Sequence, residues 1–236
     1  MKNAAPTPER QPPCTLAPER VAYWYFRLNG FLQIENFVVH PKLYGGQRTD
    51  ADLIGVRFPF RAERLIDDPT DLMQDDAERL QLLADRTDIV IVEIKTGRCA
   101  LNGPWTSEES QNIHRVLAAI GSLPTTIVAD AANALYSAGS FNDPNYPRIR
   151  LILVGRETDS EIAKKYAGIT QLTWTEVLSF IWQRFDRYKR QKAQVDQWDG
   201  VGRSLKKIAM REDHDGFVDK VRDMMGVRAD QPKSAA

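Results

Sequence analysis

The sequence predicts an α/β fold, a mixed central β-sheet flanked by helices with a helical C-terminal extension, and three observations carry that expectation. The stretch DIVIVEIKTG at residues 88–97 opens with Ile89 and Ile91 alternating with Val90 and Val92, so both faces of an extended chain are apolar. A strand apolar on both faces belongs in the interior of a sheet covered on both sides. RIRLILVG at 148–155 is a second strand. The order of segments around them, helix, strand, strand, helix, strand, helix, helix, strand and then helices, is that of a mixed sheet between helical layers.

Taken in order, residues 1–17 hold Pro6, Pro8, Pro12 and Pro13 among small and polar residues, a disordered leader. Residues 18–192 form the main domain. In PERVAYWYFRLNGF, Pro18 opens a helix, Glu19 sits in its first turn, Val21, Tyr25 and Leu28 recur at helical spacing, and Gly30 stops it. Strands follow at 31–40 and, beyond a loop carrying Gly45 and Gly46, at 51–60, where Pro59 breaks the run. DLMQDDAERLQLLADR at 71–86 reads as a helix with early acids and apolar Leu72, Leu80 and Leu83. After the strand at 88–95, acids in the first turn and a terminal Gly121 predict a helix over about 107–120. TIVADAANALYSAG and DSEIAKKYA are further helices, and a long amphipathic helix begins near Trp174 or Thr175. Residues 193–226 form a helical extension in two short segments, with Leu205, Ile208 and Ala209 in one and Phe217, Val221 and Met224 in the other; 227–236 is a flexible tail.

Composition narrows the function. At 236 residues, 42% hydrophobic and 27% charged, the chain can bury a full core. No stretch reaches the roughly 18 consecutive apolar residues of a membrane span, and the N-terminus lacks a signal peptide's apolar centre, so a cytoplasmic, membrane-free protein is expected. Only Cys14 and Cys99 are present, too few for a cysteine metal site or a disulfide framework. His40, His114 and His214 are scattered and carry no metal expectation. With 32 basic and 32 acidic residues, any polyanion must be held by a local basic surface. The isolated GVGRS at 200–204 follows no strand and does not make a nucleotide site.

The charges at the end of the third strand need a reason, because removing an ammonium or a carboxylate from water costs several kcal/mol, roughly. Glu93 and Lys95 share the face of Ile89 and Ile91, while Asp52 shares a face with Ile54 at the start of the preceding strand. If the two strands pair antiparallel, Asp52 lies beside Glu93. Adjacent carboxylates repel unless a cation joins them, and oxygen ligands favour a hard ion such as Mg²⁺. A nearby lysine can orient or activate a water, so the set suits metal-assisted phosphodiester hydrolysis. A Glu-x-Lys pair can equally be an ordinary ion pair on a strand.

An Asp ahead of one strand, Glu-x-Lys near the end of the next and an acid on the first helix resemble the PD-(D/E)xK nuclease superfamily, with its restriction-endonuclease-like core, over roughly Glu19 to Gly155. DLIGV carries Asp52, and VEIKTG carries Glu93 and Lys95. The resemblance implies a Mg²⁺- or Mn²⁺-dependent nuclease acting on DNA more than RNA. Asp52, Glu93 and the Ile94 carbonyl would hold the ion, Lys95 would serve the attacking water and Glu19 would assist. Glu19 matches the resolvase-like members, which place a glutamate one helix upstream of a Gly-Phe such as Gly30-Phe31, and Gln111 resembles a glutamine of exonuclease-like members. The pattern departs in having Ala51 before Asp52 in place of proline, and Asp50 leaves the choice of acid open.

In the loop TGRCALNGPWTS, Arg98 and Asn102 are candidates to contact phosphate and Trp105 to stack on a base; the competing reading packs Trp105 under the loop. On the long helix, Arg184, Arg187, Arg190 and Lys192 lie largely off the apolar face, as a solvated basic side or a backbone-binding stripe. Two alternatives stand beside the nuclease: an inactive nuclease-like fold serving as a nucleic-acid-binding or assembly subunit, and an unrelated scaffold in which Glu93 and Lys95 are solvated far from Asp52. A homodimer and a complex with a partner subunit are both compatible with this reading.

Overall fold

The computed structural model describes residues 16–40, 49–63 and 72–227; most of the Pro-rich leader, Cys14, the Gly45-Gly46 loop and nearly all of the tail lie outside them. Its elements are α1 (Pro18–Leu28), β1 (Leu32–Val39), β2 (Thr49–Arg57), β3 (Asp88–Ile94), α2 (Asn112–Ile120), α3 (Thr125–Ala138), β4 (Ser140–Phe141), β5 (Arg148–Gly155), α4 (Ser160–Lys165), β6 (Thr170–Thr173), α5 (Trp174–Arg187), α6 (Gly200–Ala209) and α7 (His214–Met224). The strands form one mixed sheet in the order β1-β2-β3-β5-β4, with β6 also paired to β5. β2 runs antiparallel to both β1 and β3, whereas β3–β5 and β5–β6 are parallel. The α/β expectation therefore holds, and β3 is interior, with all of its residues buried.

The two apolar faces of β3 feed two cores. Val90, Val92 and Ile94 join Leu53 under α1, α5, α6 and α7, while Ile89 and Ile91 join Ile54 under α2 and α3. Alternation of side chains along a strand makes this division, which is why each face needed its own apolar run. The C-terminal helices belong to the first core. Asp199 caps α6 and accepts from Trp24 Nε1 at 3.1 Å, and a Cβ on Gly202 would stand 2.0 Å from the Trp24 ring, so only glycine lets α6 lie this close to α1. That packing is the role of the GVG stretch.

Three expectations need correction. The described part of the 71–86 segment is not an α-helix but turns and coil, with Gln81 in the left-handed region at φ 47°. Its polar groups are committed elsewhere: Asp76 accepts from Tyr25 at 2.9 Å, and the Leu80 and Gln81 carbonyls accept from Arg150 and Arg148 at 2.6 and 2.7 Å. Residues 107–111 are likewise not part of α2. A 3₁₀ turn at Glu108–Ser110 and a left-handed Gln111 at φ 52° precede it, while Gly121 ends it as expected. The second strand stops at Arg57, leaving Phe58 and Phe60 exposed. β4 and β6, of two and four residues, were too short to read by periodicity. Among the described residues no helix is long and apolar enough to cross a membrane.

Candidate functional site

The β2–β3 ladder ends with Leu53 opposite Val92, so Asp52 and Glu93 are the next residues along the same register. Instead of continuing the ladder, the Asp52 carboxylate takes over: its Oδ2 accepts the Ile94 backbone N–H at 2.6 Å. A side chain thus stands in for a backbone acceptor where the strands part. The antiparallel pairing inferred from the sequence does bring Asp52 to the end of β3.

Glu93 is only 2% exposed. Its Oε2 accepts from Lys95 Nζ at 2.8 Å and from Asn102 Nδ2 at 2.9 Å, whereas Oε1 is buried with no hydrogen-bond partner. The Trp105 indole N–H, on a side chain 1% exposed, is also without a completed hydrogen bond, yet it is near enough to Glu93 to favour the ionised carboxylate. Burial nevertheless dominates and pushes the Glu93 carboxyl above its usual range, with Lys95 opposing and Asp52 adding repulsion. Asp52 is raised too, mainly by burial; the Ile94 N–H and Lys95 oppose this, and Glu19 and Asp50 add repulsion.

Lys95 is held by its backbone. Its N–H donates to Val154 at 2.8 Å and its carbonyl accepts from Trp174 Nε1 at 2.8 Å, which ties the end of β3 to β5 and to the first residue of α5. The following loop is pinned to the two residues just past β5 by Arg156 N–H to the Gly97 carbonyl at 2.6 Å and by Cys99 N–H to the Glu157 carbonyl at 2.8 Å. A Cβ on Gly155 would lie 2.7 Å from the Cys99 nitrogen, so a glycine is required for that approach.

The sequence-selected residues divide as follows. Asp52, Glu93, Ile94 and Lys95 converge, and Glu19, in the first turn of α1, lies within electrostatic reach of Asp52, as does Asp50. Asn102 directs its amide inward to Glu93. Trp105 is packed into the α2–α3 core, so its ring offers no face to a base. Arg98 is exposed, 3.7 Å from Glu157, and Gln111 is an exposed N-cap position of α2. The long helix, α5, stops at Arg187, so Arg190 and Lys192 are not on it; Arg184 is buried in an ion-pair group with Asp75 and Glu63, and Lys192 reaches Glu63 at 2.7 Å, so neither belongs to a free basic stripe. The sequence did not point to Trp174 as an anchor of Lys95, nor to Asn102 as a partner of Glu93; no local pattern marks either contact.

The carboxylate and carbonyl oxygens are hard donors, which suit Mg²⁺ or Mn²⁺, and Oε1 of Glu93, which completes no hydrogen bond, is the acceptor a cation could use; the Lys95 ammonium has no lone pair to offer a metal. Among the described residues no three His, Cys, Asp or Glu side chains converge closely enough to chelate an ion by themselves. Mg²⁺ commonly takes one or two carboxylates and fills its remaining positions with water and phosphate oxygens, so the carboxylate pair fits such an ion. A groove of about 380 Å³ runs along Leu32, Ile34, Phe58 and Ile120, and neither Asp52 nor Glu93 lines it. Comparisons with protein-family models, curated proteins and solved structures each return no match.

Proposed function

We propose that the chain is a metal-dependent nuclease that hydrolyses phosphodiester bonds, DNA in preference to RNA, with the acidic and lysine set of the PD-(D/E)xK superfamily that the sequence resembles. The observation that carries this reading is the Glu93 carboxylate, buried to 2% exposure yet left with an unpartnered oxygen beside Asp52 and Lys95. A purely structural ion pair would satisfy both oxygens, because an unpaired buried acceptor costs roughly 1–3 kcal/mol. Asp52, Glu93 and the Ile94 carbonyl are the groups that would hold Mg²⁺, which when bound supplies charge neutralisation at the phosphate and acidifies a water. Lys95 would present a positive charge at the rim, where it serves the attacking water and stabilises the negative charge that gathers on the phosphate oxygens. Glu19, within electrostatic reach of Asp52, would assist the ion or its water.

The test is incubation with supercoiled, linear and single-stranded DNA and with RNA, with and without Mg²⁺ or Mn²⁺, alongside Glu93→Gln. Metal-dependent cleavage by the wild type that is lost in Glu93→Gln supports the reading. One observation favours a second reading, an inactive nuclease-like subunit that binds nucleic acid or a partner: the lack of three converging ligand side chains among the described residues. Nucleic-acid binding with no cleavage under any metal would select it.

A further inference from the structure

We propose that Asn102 is a positioning residue for Glu93, holding the Oε2 edge of the carboxylate so that Oε1 is left for a divalent cation. This inference rests on the nuclease reading. A glutamate has three side-chain torsions, and a ligand useful to an ion must be kept from swinging away; hydrogen bonds from outside the ligand set do this. Lys95 holds Oε2 at 2.8 Å, but an ammonium on a flexible stem is a poor directional anchor. The Asn102 amide, at 2.9 Å on the same oxygen, is planar and neutral, and it adds an N–H without adding a charge that would compete with the metal.

The loop that carries Asn102 is built to hold it. The Asn102 carbonyl accepts from the Trp105 backbone N–H at 2.9 Å, and the Pro104 carbonyl accepts from Asn112 Nδ2 at 2.9 Å and from Ser110 Oγ at 3.1 Å. Trp105 is buried among the side chains of α2 and α3, so the loop is fastened to the core three residues after Asn102. Asn102 itself has φ −68° and ψ 150°, a conformation open to any residue, so its identity is not set by the backbone. What remains to explain an asparagine is the amide on Glu93.

The experiment measures Mn²⁺ affinity on protein without nucleic acid, by calorimetry or by electron paramagnetic resonance of free Mn²⁺, for wild type, Asn102→Ala, Asn102→Gln, Glu93→Gln and the Asn102→Ala/Glu93→Gln double variant. DNA affinity in metal-free buffer with EDTA and thermal melting are recorded for each. Asn102→Ala should weaken Mn²⁺ binding by about 10-fold or more, the usual scale for losing a group that orients a metal ligand. It should leave DNA affinity within about twofold, Asn102→Gln should recover part of the loss, and the alanine change should have no further effect once Glu93 is glutamine. If Glu93→Gln loses Mn²⁺ while Asn102→Ala binds it normally, the positioning role is overturned and the nuclease reading stands. If Asn102→Ala weakens DNA alone, Asn102 is a phosphate contact and the proposal again fails. If the wild type binds no Mn²⁺, both fall together.

Discussion

The two ends of β3 each bury a carboxylate, and they treat it in opposite ways. At the start, Asp88 is 1% exposed and both of its oxygens are taken twice. Arg148 bonds Oδ1 and Oδ2 at 3.0 and 2.8 Å, and Arg150 bonds them at 3.2 and 2.7 Å. The arginines are in turn occupied by the Gln81 and Leu80 carbonyls and by Thr170 Oγ1, so the group stitches β3, β5, β6 and the preceding turn into one closed network. At the far end and on the opposite face, Glu93 has one lysine and one amide on Oε2, while Oε1 completes no hydrogen bond and the Trp105 indole N–H is the donor in its neighbourhood. Planar guanidinium forks complete a carboxylate; an ammonium and an amide on a single oxygen leave it open. Equal burial therefore does not mean equal purpose. The closed end has no capacity for a further ligand, and the open end does.

Breaking the closed end should have the largest effect. Asp88→Asn leaves two buried guanidinium groups facing a neutral amide, and stability should fall by roughly 3–5 kcal/mol, the scale for removing one partner of a buried charge pair. Thermal or urea unfolding measures it. If Asp88→Asn melts within a degree or two of wild type, the network is not the clamp its geometry describes.

Breaking the open end should cost activity and little stability. On the proposed mechanism Lys95→Ala removes the charge that would serve the attacking water but leaves both carboxylates, so turnover should drop by about 10²-fold or more while Mn²⁺ and DNA still bind. Comparable cleavage by Lys95→Ala and wild type would make Lys95 a simple ion-pair partner worth ~0–1 kcal/mol.

The pH response tests the open end further. Burial holds the Glu93 and Asp52 carboxyls above their ordinary range, so the folded protein binds these protons more tightly than the unfolded chain. Their contribution to stability is complete below the unfolded pKa and is lost as pH rises through the folded pKa. Glu93→Gln deletes one of these titrations. Its melting temperature should decline less than the wild type's between the ordinary glutamate pKa and neutrality in metal-free buffer. A parallel decline in both proteins would mean that Glu93 carries no raised pKa. The smallest effect is expected at Asp50, opposite Val38 and one step outside the Asp52–Ile94 contact: Asp50→Ala should change cleavage by about twofold or less, whereas Asp52→Ala abolishes it. The reverse pattern would move the metal ligand to Asp50.

Of these two ends, the open one was largely visible in the chain itself and the closed one was not. The alternating Ile and Val of 88–92 specify a strand covered on both sides, and the same period puts Glu93 and Lys95 on the Ile89 face, because side-chain direction along a strand is set by local geometry. Antiparallel pairing with 51–57 then follows from a short list of ways to lay neighbouring strands, and it brings Asp52 beside Glu93. The helix expected at 71–86 failed for the converse reason. Its apolar spacing was helical, but Tyr25, Arg148 and Arg150 claim its polar groups from far along the chain, and local propensity yields to such contacts.

What the sequence alone determined is the layered α/β frame, the interior strand and the acids and lysine at its end, since these depend on periodicity and order over a few residues. Only the tertiary structure decided that Asp88 is completed by Arg148 and Arg150, that Trp105 is core and not a stacking platform, and that Asn102 turns its amide to Glu93. The physical reason is distance along the chain and freedom of rotation. The parallel β3–β5 register that sets Asp88 against Arg148 spans 60 residues, and the direction of a loop amide is fixed by what the loop is fastened to. Neither is encoded in any local pattern of residues.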